Sequence, residues 1–204
     1  YSKGLLDEAR VWNIVRTQDE IRRFMNLDLI GNESGLVGYW KLNENYGTIA
    51  RDSVAGGSDG TVNGAFWTTR RVSLPVVSSI TQTEIGGGLK DTPSASLLLS
   101  STDVDAGIFE GSPGSPALAF DGNDYVQVTH YANLNPTSTI TVEAWVNGRD
   151  TNEARFAIRK LNQYQIRLNP VGESPRFSGF VHIGGNPEPR VSSGFDENIW
   201  THFA

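Results

Sequence analysis

The feature that most narrows what this chain can fold into is a recurring period of two. In Ile140-Thr141-Val142-Glu143-Ala144-Trp145-Val146, positions 140, 142, 144 and 146 are all apolar. That is the signature of an extended strand with one face on a core and the other turned away from it. Phe156-Ala157-Ile158, Tyr164 to Leu168, Phe177 to Ile183 and Trp200 to Ala204 continue the series, with turn-forming clusters between them. Short alternating strands punctuated this way predict two stacked antiparallel sheets.

Nearer the N-terminus, Gly4 to Trp12 mixes apolar and charged residues in a run suited to a strand with one face covered. Thr17-Gln18-Asp19-Glu20 is a capping box, so one short helix is expected there, with Ile21, Phe24 and Met25 as the stripe that docks on a sheet. Leu36 to Leu42 reads as a strand, and Asp52 to Gly64 as tight turns around a short strand that ends near Phe66-Trp67. Residues 68–115 are dense in Ser, Thr, Gly and Pro and contain Gly86-Gly87-Gly88, a linker or insertion whose Val72 to Ile80 and Ser96 to Leu99 could add edge strands. Ala117 to Phe120, the turn Asp121-Gly122-Asn123-Asp124 and Tyr125 to Val128 carry hairpin chemistry.

Composition excludes several functions. The net charge of -6 and pI of about 5.1 leave no broad basic footprint for nucleic acid. No apolar run nears the ~18 residues that insert across a bilayer. With no cysteine there are neither disulfides nor thiolate metal sites. The start at Tyr1 lacks the marks of a signal peptide, so the chain reads as an excerpt.

Phe120-Asp121-Gly122-Asn123-Asp124-Tyr125-Val126, Thr141 to Val146, Trp200 to Ala204, Gly4 to Trp12 and Gly35 to Thr48 together resemble the laminin-G-like family, which includes the pentraxins. The resemblance implies an all-β, concanavalin A-like jelly-roll sandwich with one short helix. The family's terminal motifs come first here and its initial motifs last. The implied organisation is therefore two tandem copies cut short: residues 1–67 close one jelly roll, 68–115 join, and 116–204 open the next. Strands usual between the two motif sets are missing, so partner strands are expected from another chain, by strand complementation.

A jelly roll that hydrolyses glycosides needs two carboxylates about 5 to 9.5 Å apart. The E-x-D-x-x-E run of such enzymes is missing, and Glu143 stands alone on its strand, where an outward or edge-facing position is expected. His130, His182 and His202 accompany no G-x-S-x-G elbow and no H-E-x-x-H, so no enzyme is expected. Calcium is the one cofactor the residues suggest: Asp121, Asn123 and Asp124, with Asp52 or Asp59 as companions, offer the hard oxygens it takes, although a tight turn uses the same residues. The pentraxin ligand position falls near Lys160 to Gln163, which holds no acid. Asp103 and Asp105 lie in a stretch that resembles cadherin-like adhesin repeats with a calcium-binding D-x-D motif. Trp12, Trp40, Trp67, Trp145 and Trp200 sit in strand motifs, where burial is favoured over sugar stacking.

The expectation is a non-catalytic, secreted, cell-surface binding or structural segment. Its partners would be neighbouring copies or adjacent domains, a glycan or an extracellular protein, in adhesion or a filament. The alternative is an accessory carbohydrate-binding domain of a secreted polysaccharide-degrading enzyme or protease. No ligand-binding residue can be named from the sequence.

Overall fold

The computed structural model describes residues 3–68, 116–149, 154–168, 177–183, 186–194 and 196–204. Val72 to Ile80, Ser96 to Leu99, Asp103 and Asp105 fall outside them. The described residues form antiparallel sheets with one α-helix, as the alternating pattern predicts.

The largest sheet is organised around β1 (Lys3–Trp12). Along one edge β1 pairs with β8 (Thr141–Gly148); along the other it pairs first with β6 (Ala117–Asp121) and then with β2 (Leu36–Trp40). β13 (Thr201–Phe203) extends the sheet beyond β8, and β5 (Phe66–Thr68) extends it beyond β6. Two smaller sheets lie opposite. One is β3 (Ile49–Ala50), β4 (Gly60–Asn63) and β7 (Tyr125–Val128). The other runs in the order β12 (Asn186–Ser193), β11 (Phe177–Ile183), β10 (Tyr164–Leu168), β9 (Arg155–Lys160). Segments 3–68 and 116–204 thus share sheets within one chain.

The core between the layers draws Val11, Ala144 and Val146 from the large sheet and Val62, Ile166 and Leu168 from the smaller ones. Phe177 of β11 stacks on Phe203 of β13 with ring centroids 3.6 Å apart. Each such fully buried aliphatic or aromatic side chain contributes about 1.5 to 3 kcal/mol.

The Asp121–Asp124 turn does not close a hairpin. β6 joins the large sheet and β7 a smaller one, so the turn carries the chain across the sandwich. Residues 63–65 do the same between β4 and β5, and the two crossings abut. At Gly64, φ is +82° and an added Cβ would sit 2.2 Å from Asp124 Oδ1. Hairpin-type residues were chosen here for left-handed backbone, as Gly122 at φ +114° shows, and that requirement is common to both kinds of turn.

The helix α1 (Gln18–Phe24) starts at the predicted capping box: Thr17 Oγ1 accepts from Glu20 N, and the Glu20 carboxylate accepts from Thr17 N. It lies, with residues 25–31, on the outer face of the large sheet. Both faces of β1 are consequently covered, where one was expected.

Gly4 has φ +132°, and an added Cβ would lie 2.1 Å from the Asn147 carbonyl oxygen. Gly4→Ala is expected to destabilise by at least about 2 kcal/mol. Gly56→Ala, at φ +73° but with open space around it, should cost about 1 kcal/mol. Denaturant unfolding of the two variants measures the difference.

Candidate binding site

The acids that could do chemistry are gathered by a bulge in β1. Asp7 pairs with Trp145 and Arg10 with Glu143, so Glu8 and Ala9 together oppose Ala144. Glu8 adopts φ 52°, and its N–H is held by Asp7 Oδ1 at 3.0 Å. The extra residue resets the pleat: Ala9 and Val11 face the core, while Arg10 and Trp12 face outward under the helix. Without it Arg10 would enter the sandwich core.

Arg10 is fully buried. It donates to the carbonyls of Phe24 at 2.9 Å and Leu27 at 2.6 Å and to Glu8 at 2.5 Å, and its guanidinium lies 5.0 Å from the Tyr39 ring centroid. Tyr39 OH donates to Glu8 at 2.5 Å and accepts from Leu29 N at 3.3 Å. Beside this network, Glu143 Oε1 accepts from Trp12 Nε1 at 2.7 Å and from Arg16 Nη1 at 3.4 Å, and its Oε2 lies 3.4 Å from His202 Nε2. Arg16 stacks 3.9 Å over the Trp12 ring, and Trp145 Nε1 donates to the Met25 carbonyl.

Glu143 is 0% exposed, not outward- or edge-facing. Its side of the strand is the polar side of the alternation, but residues 13–31 roof that side and cover it from solvent. Burial pushes the carboxyls of Asp7, Glu8 and Glu143 up, Asp7 the furthest with help from the adjacent Glu8 charge. Burial also holds the His202 imidazole down, at about 3, aided by the charges of Arg10 and Arg16. Closed off from solvent, these groups join sheet to roof.

The suggested calcium ligands are occupied otherwise. Asp124 Oδ2 accepts from Asp121 N at 2.7 Å, and Asp121 Oδ1 accepts from Asn123 N at 2.9 Å. Asp52 accepts from the amides of Tyr39, Val54 and Ser58, and Asp59 from that of Asp52. No group of three or more metal-ligating His, Cys, Asp or Glu converges among the described residues. The carboxylates of Asp121 and Asp124 each use one oxygen within the turn, and no third acid or histidine joins them among the described residues towards the shell of about 6 to 8 oxygens that calcium takes. Trp12, Trp40 and Trp145 are buried, and Trp67 and Trp200 half-buried.

The accessible site lies elsewhere, where β7 and β9, the terminal strands of the two smaller sheets, face each other across a slot of about 870 Å³. Leu6, Val146 and Leu168 form its floor. Tyr125 and Gln127 stand on one bank, Phe156 and Arg159 on the other, and Lys3 and Asp124 at an end. Arg159 lies 4.6 Å from the centroid of the Phe156 ring. A second cavity of about 180 Å³ continues the slot over Ala9 and Val11. An apolar trough rimmed by aromatic and hydrogen-bonding side chains is what an extended ligand requires. Sequence reading missed it because each residue is an ordinary strand residue. One signal was present: residues 154–168 hold Arg155, Arg159, Lys160 and Arg167 and no acid.

Glu143→Gln should destabilise by about 3 to 5 kcal/mol, since it removes the carboxylate that buried Arg16 pairs with and the second of the two beside Arg10, leaving Arg10 only Glu8; thermal or urea unfolding reads this. His202 titrates near 6.5 when unfolded and near 3 when folded. Its contribution is therefore complete above about pH 6.5 and is lost as pH falls from there towards 3. Asp7, Glu8 and Glu143, raised in the folded state, act in the opposite sense. The His202-specific part is isolated by urea unfolding of wild type and His202→Gln between pH 7 and 4: wild type should lose more stability over that range.

Residues 120–204 match a laminin G family model, described as the concanavalin A-like lectin/glucanases superfamily. No curated protein and no solved structure matches the chain. The match runs from the end of β6 through β13, and β1, from outside the matched stretch, is paired between two of its strands. Laminin G-like domains commonly bind glycans or proteins and are usually extracellular. Residues 120–204, with the F-D-G-x-D-Y-V and T-V-E-A-W-V elements and their antiparallel strands, are thus similar to the laminin G-like domains of the concanavalin A-like lectin/glucanase superfamily.

Proposed function

We propose that the protein is a non-catalytic binding segment of an extracellular surface protein and that it takes its partner, a glycan or a polypeptide, in the slot between β7 and β9. The observation that carries this reading is the contrast between two places. The acids that might perform chemistry, Asp7, Glu8 and Glu143, are at most 7% exposed beneath the helical roof. The open trough instead presents Tyr125, Gln127, Phe156 and Arg159 over an apolar floor. Stacking faces and donors recognise a partner; they do not cleave it. The family's grouping of lectins with glucanases favours a second reading, an accessory carbohydrate-binding domain of a secreted degradative enzyme.

Binding of the purified chain to arrays of glycans and of extracellular matrix proteins tests this. Gln127→Ala and Arg159→Ala, both at exposed positions, should each weaken capture several-fold without moving the thermal midpoint. Release of reducing ends from a soluble polysaccharide, abolished by Glu143→Gln, would show the protein to be an enzyme.

A further inference from the structure

Resting on the reading of the slot as a binding site, we infer that its occupant is a single extended polypeptide strand from a partner, which pairs with β7 and β9 and joins the two smaller sheets into one. The backbone supplies the first argument. Val62 N donates to Thr48 O at 2.9 Å, so Val62 turns its backbone groups towards β3, and its neighbours Thr61 and Asn63 turn theirs towards β7. Those two residues pair with Gln127 and Tyr125. By alternation the N–H and C=O groups of Val126 and Val128 point across the slot. Among the described residues no strand pairs with that edge of β7, and an edge of this kind is a template for another strand.

The floor and banks supply the second. Leu6, Val126, Val128, Ala157 and Ile158 are only partly buried, whereas Leu118 and Ala144 elsewhere in the same core are 0% exposed. A peptide laid along the slot sends every other side chain down onto this apolar strip and the rest up to the rim. A sugar chain has hydroxyls to meet the groups of Val126 and Val128 but no alternate apolar side chains to lay along the strip.

Charge supplies the third and sets the pattern. Of the four basic residues that 154–168 holds, Arg159 is the one that lines the slot. Arg159 is exposed at the bank and Lys3 lines one end, while Asp124 has a carboxylate oxygen committed to the Asp121 amide. Lys160 Nζ reaches within 3.4 Å of His130 Nδ1 at the other end of the two strands. The fitting partner alternates apolar with acidic residues.

The probe is a synthetic nonapeptide alternating valine with glutamate, compared with a version carrying lysine for glutamate, with one of the same composition in block order, and with a sulfated oligosaccharide. The alternating acidic peptide should bind at least tenfold more tightly than the lysine and block versions. It should slow amide exchange at Val126 and Val128, and Arg159→Glu should reverse the charge preference. Binding that leaves those two amides unchanged, or equal binding of the block peptide, overturns strand insertion. Capture of the oligosaccharide but not of the acidic peptide also overturns it while sparing the slot as a binding site. Failure of every probe removes both readings.

Discussion

The structure turns on one buried cation. Arg10 is the point at which the large sheet, the helix end and the loop after it are fastened, because its guanidinium meets the Phe24 and Leu27 carbonyls, the Glu8 carboxylate and the Tyr39 ring at once. Two of these partners are backbone carbonyls at or just past a helix terminus, where acceptors lack intrahelical donors and a positive charge is favoured. An ion in such a place is costly to desolvate and is retained only with several close partners. The surroundings supply them, apart from Arg10 Nε, which has no hydrogen-bond partner among the described residues.

From that fastening the rest of the large sheet follows. The bulge at Glu8 resets the phase of the alternation, so that Val11 faces the sandwich and Arg10 the roof. Glu143 then meets Trp12, Arg16 and His202 on the same covered face. The D-E-x-R-x-W run of β1 is therefore a structural device: Asp7 holds the bulge amide, Glu8 holds Arg10, Arg10 binds the roof, and Trp12 tethers Glu143. None of these groups faces the slot.

The alternation at 140–146, the capping box at Thr17 and the tryptophans of β1, β2 and β8 were legible in the sequence, because each reflects a local rule of backbone periodicity or hydrogen bonding. The environment of Glu143 was not, since a polar position on an alternating strand looks the same under water and under a helix 120 residues away in sequence. Hairpin and sheet-crossing turns were indistinguishable at Asp121–Asp124 because both draw on Gly at positive φ and on Asx side chains. The slot could not be read at all: it arises where two sheets end, and only their relative placement creates it. The run of bases in 154–168 was visible, but its position on a bank was not.

The placement of β1 also bears on how the chain acquires its form. Trp12 and Glu143 meet across 131 positions, and neither long edge of β1 is complete until β6 and β8 exist. Contacts that bridge such distances are entropically late. On a ribosome, β1 therefore precedes its partners β6 and β8 by roughly a hundred residues, with β2 alone of its three neighbours made soon after it. A helper that shields that early segment, or a rate of synthesis matched to it, becomes part of what the fold demands of the cell.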